Sequence, residues 1–511
     1  MIAGIVNMAH DASLALIDDD GNIDFASSSE RYCKIKHHTH LSKTLLDKFM
    51  NADTKVFYED IFMDHKEMFW LGGKHLKSKK MSKAFWTQLP DNERPNYGLF
   101  RDLSYRSDFF FKAIDTCLDH HRSHAAATFY TRPWESYADT VIMSLDGASK
   151  DTFTSNNIYT YDKDTNTFEN HLTSNHSIGQ FYSEVTERVG YHNFEEGTVM
   201  GLSCYGEPEY YDFLKKLHTD LFSQDVHIKT SVLMLGERNI RNFCEPYFKK
   251  LGDFNKVNMA ASLQKWAEEK IMHYAKIARQ YGSKLCYSGG VAQNILANSK
   301  IRDLFDDMWI TSDPTDGGNS LGCAAWEYCN QFGGTKINWI DAYLGHDIDR
   351  EVNPREVVDY ILEHKVCGIA NGKAEWGPRA LGNRSLIGDV RYDIKDTVNA
   401  IKKREYFRPF GPLILEEEFD KWFEGHTNGY MQYVCKPKHD LQSVIHVDGT
   451  SRVQTVPANS RSIIRPILEE YFERTGVPML LNTSLNIKGR PMVNDEKDAN
   501  KFEKKYNVRV F

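Results

Sequence analysis

One pattern occurs twice along this chain and limits its fold more than any other feature. Near the start, the apolar runs Ile2–Val6 and Ser13–Ile17 are joined by a polar loop and followed by an acidic turn. Later, the run Thr140–Leu145 has a similar neighbour at residues 157–161, beyond a second polar turn. Short apolar runs bounded by turn residues are typical of β-hairpins. The sequence therefore predicts two similar hairpin units.

A predicted helix and strand lead into a glycine-rich loop in the middle of the chain. Residues 259–280 have the apolar spacing of an amphipathic helix. Residues 284–287 form a short apolar run, and the loop that follows contains Gly289, Gly290 and Asn294. A strand, a tight glycine turn and a helix in this order direct backbone N–H groups at a phosphate. Because glycine pairs also serve as simple turns, both interpretations of this loop stay open.

The length of 511 residues exceeds what one hydrophobic core usually organises, so two or three domains are expected. The character of the chain changes around residues 335–360, and we place the domain boundary near residue 350.

The formal net charge of −8 argues against extensive binding along nucleic acid, although it allows a local basic patch. Nine scattered cysteines without a C-x-x-C pair are typical of reduced thiols. With no signal-like start and no long apolar run, we expect a cytoplasmic protein without membrane contact.

Two histidines and two aspartates form the first candidate site. His120 and His124 are four residues apart, so on a helix both imidazoles would lie on one face. Asp146 closes a predicted strand, and Asp316 begins a second glycine-rich loop that contains Gly317. Alone, the histidines would be a surface cluster, but two imidazoles and two carboxylates together suit a divalent transition ion such as Fe²⁺ or Mn²⁺.

A second histidine cluster lies at His37, His38 and His40. No carboxylate or glycine-rich loop accompanies it in the neighbouring sequence. We therefore expect a plain loop at this position.

Arginines are concentrated beside turn residues in the C-terminal part of the chain. They fall in residues 377–385, 402–410 and 446–454, and a further polar block follows at 481–486. Arginine binds phosphate and carboxylate through paired N–H donors, so this group of arginines suits a small polyanion. The alternative is a set of structural arginines that tie loops to carboxylates.

Taken together, these segments resemble the O-carbamoyltransferases related to nodulation-protein and antibiotic-tailoring enzymes. The matching stretches run from residues 2–5 and 10–13 to the C-terminal blocks, and residues 375–386 are especially specific. The resemblance implies an α/β protein with two domains. Residues 1–350 would be an actin-like (ASKHA) ATPase-type domain, and residues 351–511 a YrdC-like α/β domain.

The resemblance also implies a reaction in two steps. The C-terminal domain would bind carbamoyl phosphate and ATP and make carbamoyl adenylate. The N-terminal domain would pass the carbamoyl group to an acceptor hydroxyl with the help of a divalent metal, Fe²⁺ in the first place, with Mn²⁺ and Mg²⁺ as alternatives.

Residue roles follow from the same resemblance. His120, His124, Asp146 and Asp316 would bind the metal, and His10, with Asp11 beside it, would be the general base. The transfer domain would bind nucleotide through Gly289, Gly290, Asn294 and Gly317. The carbamoyl phosphate and ATP site would comprise Arg379, Arg384, Lys403, Arg404, Arg408, Arg452, Ser484 and Asn486. The basic role assigned to Lys403 could equally belong to Lys402 or Arg404, one position to either side. Thr198 stands where the family usually has a lysine.

Two other functions remain as alternatives. A threonylcarbamoyl enzyme that modifies tRNA shares both folds, but it does not need the blocks at 375–386 and 404–412. A non-catalytic ATP-binding protein of the actin-like type would not need all four metal-ligand candidates. Either a monomer or a homodimer is compatible with the sequence.

A lysine-rich run suggests what the acceptor is. Between Trp70 and Trp86 the chain carries five lysines: Lys74, Lys77, Lys79, Lys80 and Lys83. Lysines neutralise phosphates and aromatic rings stack on bases, so this mixture suits a nucleotide or DNA that carries a hydroxymethyl pyrimidine. A solvated loop, with a sugar or natural-product hydroxyl as the acceptor, is the alternative.

Overall fold

The fold was analysed in a computed structural model that describes residues 1–6, 10–39, 41–50, 55–60, 118–147, 154–223 and 237–511. The described residues form a mixed α/β structure that contains three five-stranded sheets. No helix in these ranges combines the length and the apolar character needed to cross a membrane.

The first sheet is built on the N-terminal hairpin. Its strands are β1 (Ile2–Val6), β2 (Ser13–Ile17), β3 (Ile23–Ser28), β4 (Lys55–Asp60) and β5 (Leu118–Asp119). They lie in the order β3-β2-β1-β4-β5. The first three strands pair antiparallel, whereas β4 pairs parallel with both β1 and β5. The predicted hairpin is confirmed.

The second sheet repeats this topology. Its strands are β6 (Thr140–Leu145), β7 (Asn156–Asp162), β8 (Thr167–Ser174), β9 (Lys284–Ser288) and β10 (Asp307–Trp309). The order is β10-β9-β6-β7-β8, with an antiparallel β6-β7-β8 meander and parallel β9 and β10. Each sheet therefore has three antiparallel strands followed by two parallel ones. This duplication supports the actin-like architecture expected for the N-terminal part.

Helices cover and connect these two sheets. In chain order they are α1 (Glu30–Cys33), α2 (Lys43–Met50), α3 (His120–Phe129), α4 (Ile178–Val189), α5 (Glu196–Ser203), α6 (Tyr211–Ser223), α7 (Glu237–Leu251), α8 (Lys256–Ala278), α9 (Ile295–Ile301) and α10 (Asn319–Phe332). The helix predicted at 259–280 is α8, which begins three residues earlier because the Asn255 side chain accepts hydrogen bonds from Val257 N and Asn258 N. Trp266, on α8, is buried in the core cluster that also contains the strand residues Val141 and Leu285.

The C-terminal part is organised around the third sheet, whose order is β12-β14-β19-β15-β18. The strands from here on are β11 (Tyr343–Ile348), β12 (Val366–Ala370), β13 (Gly372–Glu375), β14 (Arg384–Gly388), β15 (Gly411–Leu415), β16 (Phe423–Glu424), β17 (Lys436–Pro437), β18 (Gln454–Val456) and β19 (Met479–Ser484). The helices are α11 (Pro354–His364), α12 (Lys395–Lys402), α13 (Phe419–Trp422), α14 (Ile464–Thr475) and α15 (Glu496–Tyr506). Two separate hydrophobic clusters pack on this sheet. The boundary near residue 350 and the YrdC-like assignment stay predictions.

Candidate active site

The histidine pair lies at the start of α3, as its spacing predicts. Asp119 caps this helix by accepting a hydrogen bond from Arg122 N. The rings of His120 and His124 lie on one face with their centroids 4.7 Å apart, and both side chains are buried. Helical geometry thus fixes two imidazoles toward one point.

Two carboxylates meet these imidazoles from the loops that follow β6 and β10. Asp146 Oδ2 lies 2.8 Å from His120 Nε2 and 3.6 Å from His124 Nε2. Asp316 Oδ1 lies 3.4 Å from His124 Nε2 and 3.8 Å from His120 Nε2. One ligand atom from each of the four residues lies within 4.8 Å of the others. We call this group the His-Asp cluster.

Close backbone packing holds the His-Asp cluster together. A Cβ atom on Gly322 of α10 would lie 2.1 Å from the carbonyl oxygen of Ser123, so only glycine lets α10 pack this closely against α3. α10 follows directly after Asp316, and α3 carries both histidines. The contact therefore brings Asp316 to the imidazoles.

The charges in the His-Asp cluster match a cation site. Burial alone would raise the pKa of Asp146, but hydrogen bonds and charges from His120 and His124 outweigh it and hold this pKa well below its usual range. The pKa of His124 is raised, because its two carboxylate neighbours outweigh burial. Its Nε2 atom is buried and has no hydrogen-bond partner among the described residues. The cluster offers two imidazole nitrogens, one of them without a hydrogen-bond partner in the described ranges, and two carboxylate oxygens. This set of four ligands fits a divalent transition ion.

His121 lies between the two histidines of the cluster but is held elsewhere. Its ring nitrogens lie 2.9 Å from Ser144 Oγ and 2.9 Å from the carbonyl oxygen of Thr154. Burial and the neighbouring His120 lower the pKa of His121 to about 4. This residue has a structural role.

The glycine loop after β9 contacts Asp146 of the His-Asp cluster. Gly289 N donates to the carbonyl oxygen of Pro314, and Gly290 N donates to Asp146 Oδ1 at 2.8 Å. Asn294 accepts from Ala297 N and pairs with the Gln264 side chain. These contacts orient Asp146, and the nucleotide-binding role of Gly289, Gly290 and Asn294 stays a prediction. Gly317 belongs to the Asp316 turn, and its carbonyl oxygen accepts from Ser13 Oγ.

His10 lies next to the His-Asp cluster. Its Nε2 atom is 3.2 Å from Asp316 Oδ2, and its Nδ1 atom is 3.1 Å from Asp11 Oδ2. Burial would lower the pKa of His10, but these two carboxylates outweigh it and raise the pKa to about 10. His10 and Asp11 therefore lie together at the cluster, and their catalytic roles stay predictions.

The expectation that no carboxylate accompanies the second histidine cluster is wrong. His37 Nδ1 lies 2.8 Å from Asp11 Oδ1, and His37 N donates to Glu30 Oε2. The partner was missed because Asp11 lies 26 positions away in the sequence. Phe194 stacks on His37 with a centroid distance of 4.2 Å and meets the His10 ring edge-on at 5.1 Å. His40 lies outside the described residues.

A second site, the arginine pocket, lies between the two parts of the chain. Its N-terminal wall includes Gly197, Met200 and Gly201 of α5, and Ile295 of α9. The C-terminal wall carries four arginines and part of β19: Arg379, Arg404, Arg408, Arg452, Asn482, Thr483 and Ser484. Thr198, where the family usually has a lysine, is buried on α5 beside this wall.

The arginine pocket has an excess of positive charge. Burial and the neighbouring arginines lower the pKa of Arg379 to about 10 and that of Arg452 to about 9. Among the described residues, the one carboxylate within 4.0 Å of any of the four guanidinium groups is that of Glu405, at 4.0 Å from Arg408. Partly buried, mutually repelling guanidinium groups are stabilised by a bound polyanion.

Arg384 does not face the arginine pocket. It is completely buried, and its guanidinium donates to the backbone carbonyl oxygens of His346, Asn371, Asn383 and Asn494. Arg384 thus ties four chain segments together, and its role as a ligand of carbamoyl phosphate stays a prediction. The alternative of structural arginines holds for this residue.

Lys402, rather than Lys403, contacts the polar residues of the last block. Lys403 is exposed at the end of α12 in a left-handed conformation with φ of 52°. Lys402 is buried, and its Nζ atom lies 3.1 Å from Ser484 Oγ and 2.9 Å from Asn486 Oδ1. Ser484 in turn donates to Asn486 Oδ1. A lysine thus joins the two polar residues of the last block, one position before the predicted one.

The segment 311–315 lies between the two sites. Its C-terminal end leads into the Asp316 turn, and Asp313 accepts from Thr315. On the other side, a Cβ atom on Gly377 would lie 2.4 Å from the carbonyl oxygen of Ser312, so this segment packs tightly against the loop that carries Arg379. Burial raises the pKa of Asp313 to about 7. Sequence reasoning missed Asp313, since nothing in its local pattern marks it.

The lysines of the proposed acceptor region, Lys74, Lys77, Lys79, Lys80 and Lys83, lie outside the described residues.

Comparison with known proteins gives two family matches. Residues 1–325 match the model described as carbamoyltransferase N-terminus, and residues 358–511 match carbamoyltransferase C-terminus. The chain is 28% identical over 464 residues to the uncharacterized protein MJ1058 of Methanocaldococcus jannaschii, covering 80% of this chain and 74% of that protein.

Two nodulation proteins are similar as well. NolO of Bradyrhizobium diazoefficiens is 32% identical over 363 residues, which are 63% of this chain and 65% of NolO. NolNO of Sinorhizobium fredii is 31% identical over 433 residues, which are 75% of this chain and 60% of NolNO. The chain thus spans less than two thirds of the length of either nodulation protein.

Proposed function

The chain belongs to the carbamoyltransferase family, and from that premise we propose that it is an ATP-dependent O-carbamoyltransferase with two reaction sites. The arginine pocket activates the carbamoyl group, and the His-Asp cluster transfers it. The C-terminal part, from about residue 351, is proposed to be a YrdC-like domain, and residues 1–350 the transfer domain. The observation that carries the proposal is the excess of guanidinium groups over carboxylates in the arginine pocket.

In the first step, carbamoyl phosphate and ATP bind in the arginine pocket. Carbamoyl phosphate loses its phosphate by hydrolysis, and an oxygen of the resulting carbamate attacks the α-phosphorus of ATP. Carbamoyl adenylate forms and pyrophosphate leaves. Arg379, Arg408 and Arg452 balance the phosphate charges in a partly desolvated site, where such interactions are strong. Lys402, Ser484 and Asn486 position the carbamoyl end through their shared hydrogen-bond network.

In the second step, the acceptor hydroxyl attacks the carbamoyl carbon and AMP leaves. We propose His10 as the general base: a cation bound to the His-Asp cluster would offset the Asp316 charge that raises the pKa of His10, and the neutral imidazole would then take the proton of the hydroxyl while Asp11 holds its Nδ1 atom. The His-Asp cluster would hold a divalent ion, Fe²⁺ in the first place, which supplies positive charge to the departing phosphate. The segment 311–315 contacts both the Asp316 turn and the loop that carries Arg379, so it lies between the site that makes the adenylate and the site that uses it.

For the acceptor we propose a hydroxymethyl pyrimidine, either as a nucleotide or within DNA. The proposal rests on the five lysines between Trp70 and Trp86 in a chain of net charge −8. A sugar or natural-product hydroxyl is the second candidate, since the catalytic residues accommodate either.

An acceptor screen tests the function. The full chain is incubated with ATP, carbamoyl phosphate and Fe²⁺, and each candidate acceptor is examined by mass spectrometry. We expect a gain of one carbamoyl group on a hydroxymethylated nucleotide or on hydroxymethylated DNA, and none when ATP or carbamoyl phosphate is omitted. Gain on a sugar alone would keep the enzyme class and change the acceptor.

The same assay distinguishes the proposed function from its two alternatives, a threonylcarbamoyl enzyme that modifies tRNA and a non-catalytic ATP-binding protein. Consumption of carbamoyl phosphate with ATP in the absence of threonine argues against a threonylcarbamoyl enzyme. No consumption under any condition would favour a non-catalytic ATP-binding protein.

A further inference from the structure

A second group of metal-ligand side chains lies at the rim of the arginine pocket. The Sγ atom of Cys204, a ring nitrogen of His446 and a carboxylate oxygen of Asp448 lie within 4.8 Å of one another. Cys204 and His446 both line the pocket. We call this group the Cys-His-Asp cluster.

The backbone around the Cys-His-Asp cluster is held in place on both sides. Cys204 directly follows the last residue of α5, and its backbone N–H donates to the carbonyl oxygen of Leu202. On the other side, residues 446–450 form a closed turn in which His446 N donates to the carbonyl oxygen of Thr450. Thr450 also donates its N–H and its hydroxyl to Asp448 Oδ1, at 2.9 and 2.8 Å. The carboxylate is thereby oriented before any ligand binds.

His446 is a buried imidazole that lacks good hydrogen bonds. Its side chain is 9% exposed, and its Nε2 atom has no hydrogen-bond partner among the described residues. The Nδ1 atom lies 3.7 Å from Asp448 Oδ1, which is longer than a normal hydrogen bond. A buried ring nitrogen without a partner needs an explanation, and a ligand held by the neighbouring side chains would supply one.

Cys204 is the soft ligand of the group. Its Sγ atom lies 3.4 Å from Asp448 Oδ2, to which the thiol donates. A bound metal ion would replace the thiol proton, which is released to solvent.

We propose that Cys204, His446 and Asp448 bind a Zn²⁺ ion at the rim of the arginine pocket. One thiolate, one imidazole and one carboxylate are ligands that zinc takes together, and a thiolate disfavours Mg²⁺. Three protein ligands leave the fourth tetrahedral position open toward the pocket, for water or an anion oxygen. This site is separate from the His-Asp cluster and does not depend on the proposed reaction.

Cobalt titration tests the site, because a thiolate bound to Co²⁺ gives a charge-transfer band that histidine and carboxylate ligands do not. Metal-free full chain is titrated with Co²⁺ and then with Zn²⁺. We expect a band that saturates at one ion per chain and that Zn²⁺ removes. Cys204→Ser should abolish the band, and Asp448→Asn should weaken cobalt binding by about tenfold or more.

Three controls make the result specific. Cys33→Ser changes another thiol, Asp440→Asn removes an exposed carboxylate a few residues from Asp448, and His124→Ala disrupts the His-Asp cluster. All three variants should keep the band. The proposal is overturned if the wild-type chain gives no band, if the band survives in Cys204→Ser, or if it disappears in His124→Ala.

Discussion

The backbone N–H of Gly290 donates to Asp146 Oδ1 at 2.8 Å and so sets the direction of a carboxylate that faces two buried imidazoles. The hydrogen bond joins the end of β9 to the end of β6. Asp146 Oδ1 is occupied by it, and Oδ2 is directed toward His120. The glycine loop therefore belongs to the outer shell of the His-Asp cluster, where such contacts tune metal affinity.

Replacing Gly290 should loosen that arrangement. A Cβ atom at this position would lie 2.9 Å from Asp146 Oδ1, so in Gly290→Ala the carboxylate has to shift. We expect Fe²⁺ affinity to fall by roughly 10- to 100-fold, measured by equilibrium dialysis. Gly334→Ala is the control, since its nearest contact, at 3.5 Å, is ordinary. Equal affinity of both variants would contradict the outer-shell role.

Removing a ligand of the His-Asp cluster should have a larger effect than loosening it. In His124→Ala we expect loss of bound metal and loss of carbamoyl transfer with the fold intact, because a four-ligand site rarely tolerates loss of a ligand. Metal content by mass spectrometry and far-UV circular dichroism measure both. His171→Ala, on β8, is the matched control and should behave as wild type. Unchanged metal content in His124→Ala would remove the metal assignment.

Arg384 should affect stability rather than ligand binding. Arg384→Ala removes a buried guanidinium that donates to four backbone carbonyl oxygens, two of them in buried contacts, and each buried group left unsatisfied costs about 1–3 kcal/mol. We expect the free energy of unfolding to fall by at least about 3 kcal/mol in urea titration. Arg461→Ala, which removes an exposed ion pair with Asp341, should change it by less than about 1 kcal/mol. A stable Arg384→Ala protein with impaired ATP binding would contradict the structural role and support Arg384 as a ligand.

Asp389 should contribute to the acid sensitivity of the C-terminal part. Burial alone would raise its pKa, but hydrogen bonds from Arg391 and Tyr471 outweigh it and lower the pKa below its usual value of 3.8. A lowered folded-state pKa stabilises the protein above the unfolded pKa, and this contribution is lost as pH falls through the folded value. Below about pH 4, Asp389→Asn should therefore lose less unfolding free energy per pH unit than wild type. Parallel pH profiles, measured by thermal unfolding, would contradict this.

Local patterns in the sequence predicted the strands and the histidine pair well. β1, β2 and β6 have the predicted bounds, because each is a short apolar run between turn residues. The i, i+4 spacing of His120 and His124 was enough to place both rings on one face. The repeated hairpin also anticipated the duplicated sheet topology.

Contacts that depend on distant parts of the chain could not be predicted from local patterns. A guanidinium group fits a phosphate or four carbonyl oxygens equally well, so the sequence of Arg384 carries no sign of its partners. Lys402 and Lys403 differ only in where α12 ends, and the left-handed conformation of Lys403 turns it to solvent. His37 meets Asp11 only after the first sheet has folded.

The central claim is that activation and transfer occur at different sites, and pyrophosphate release without acceptor tests it most directly. The assay mixes ATP, carbamoyl phosphate and full chain, and compares His10→Ala, Arg379→Ala and the surface control Arg474→Ala. We predict release that requires carbamoyl phosphate and that persists in His10→Ala and Arg474→Ala. Arg379→Ala should lose at least about 100-fold, because it removes a charge-assisted phosphate contact in a desolvated site. Equal loss in His10→Ala and Arg379→Ala, or release of ADP in place of pyrophosphate, would contradict the two-site account.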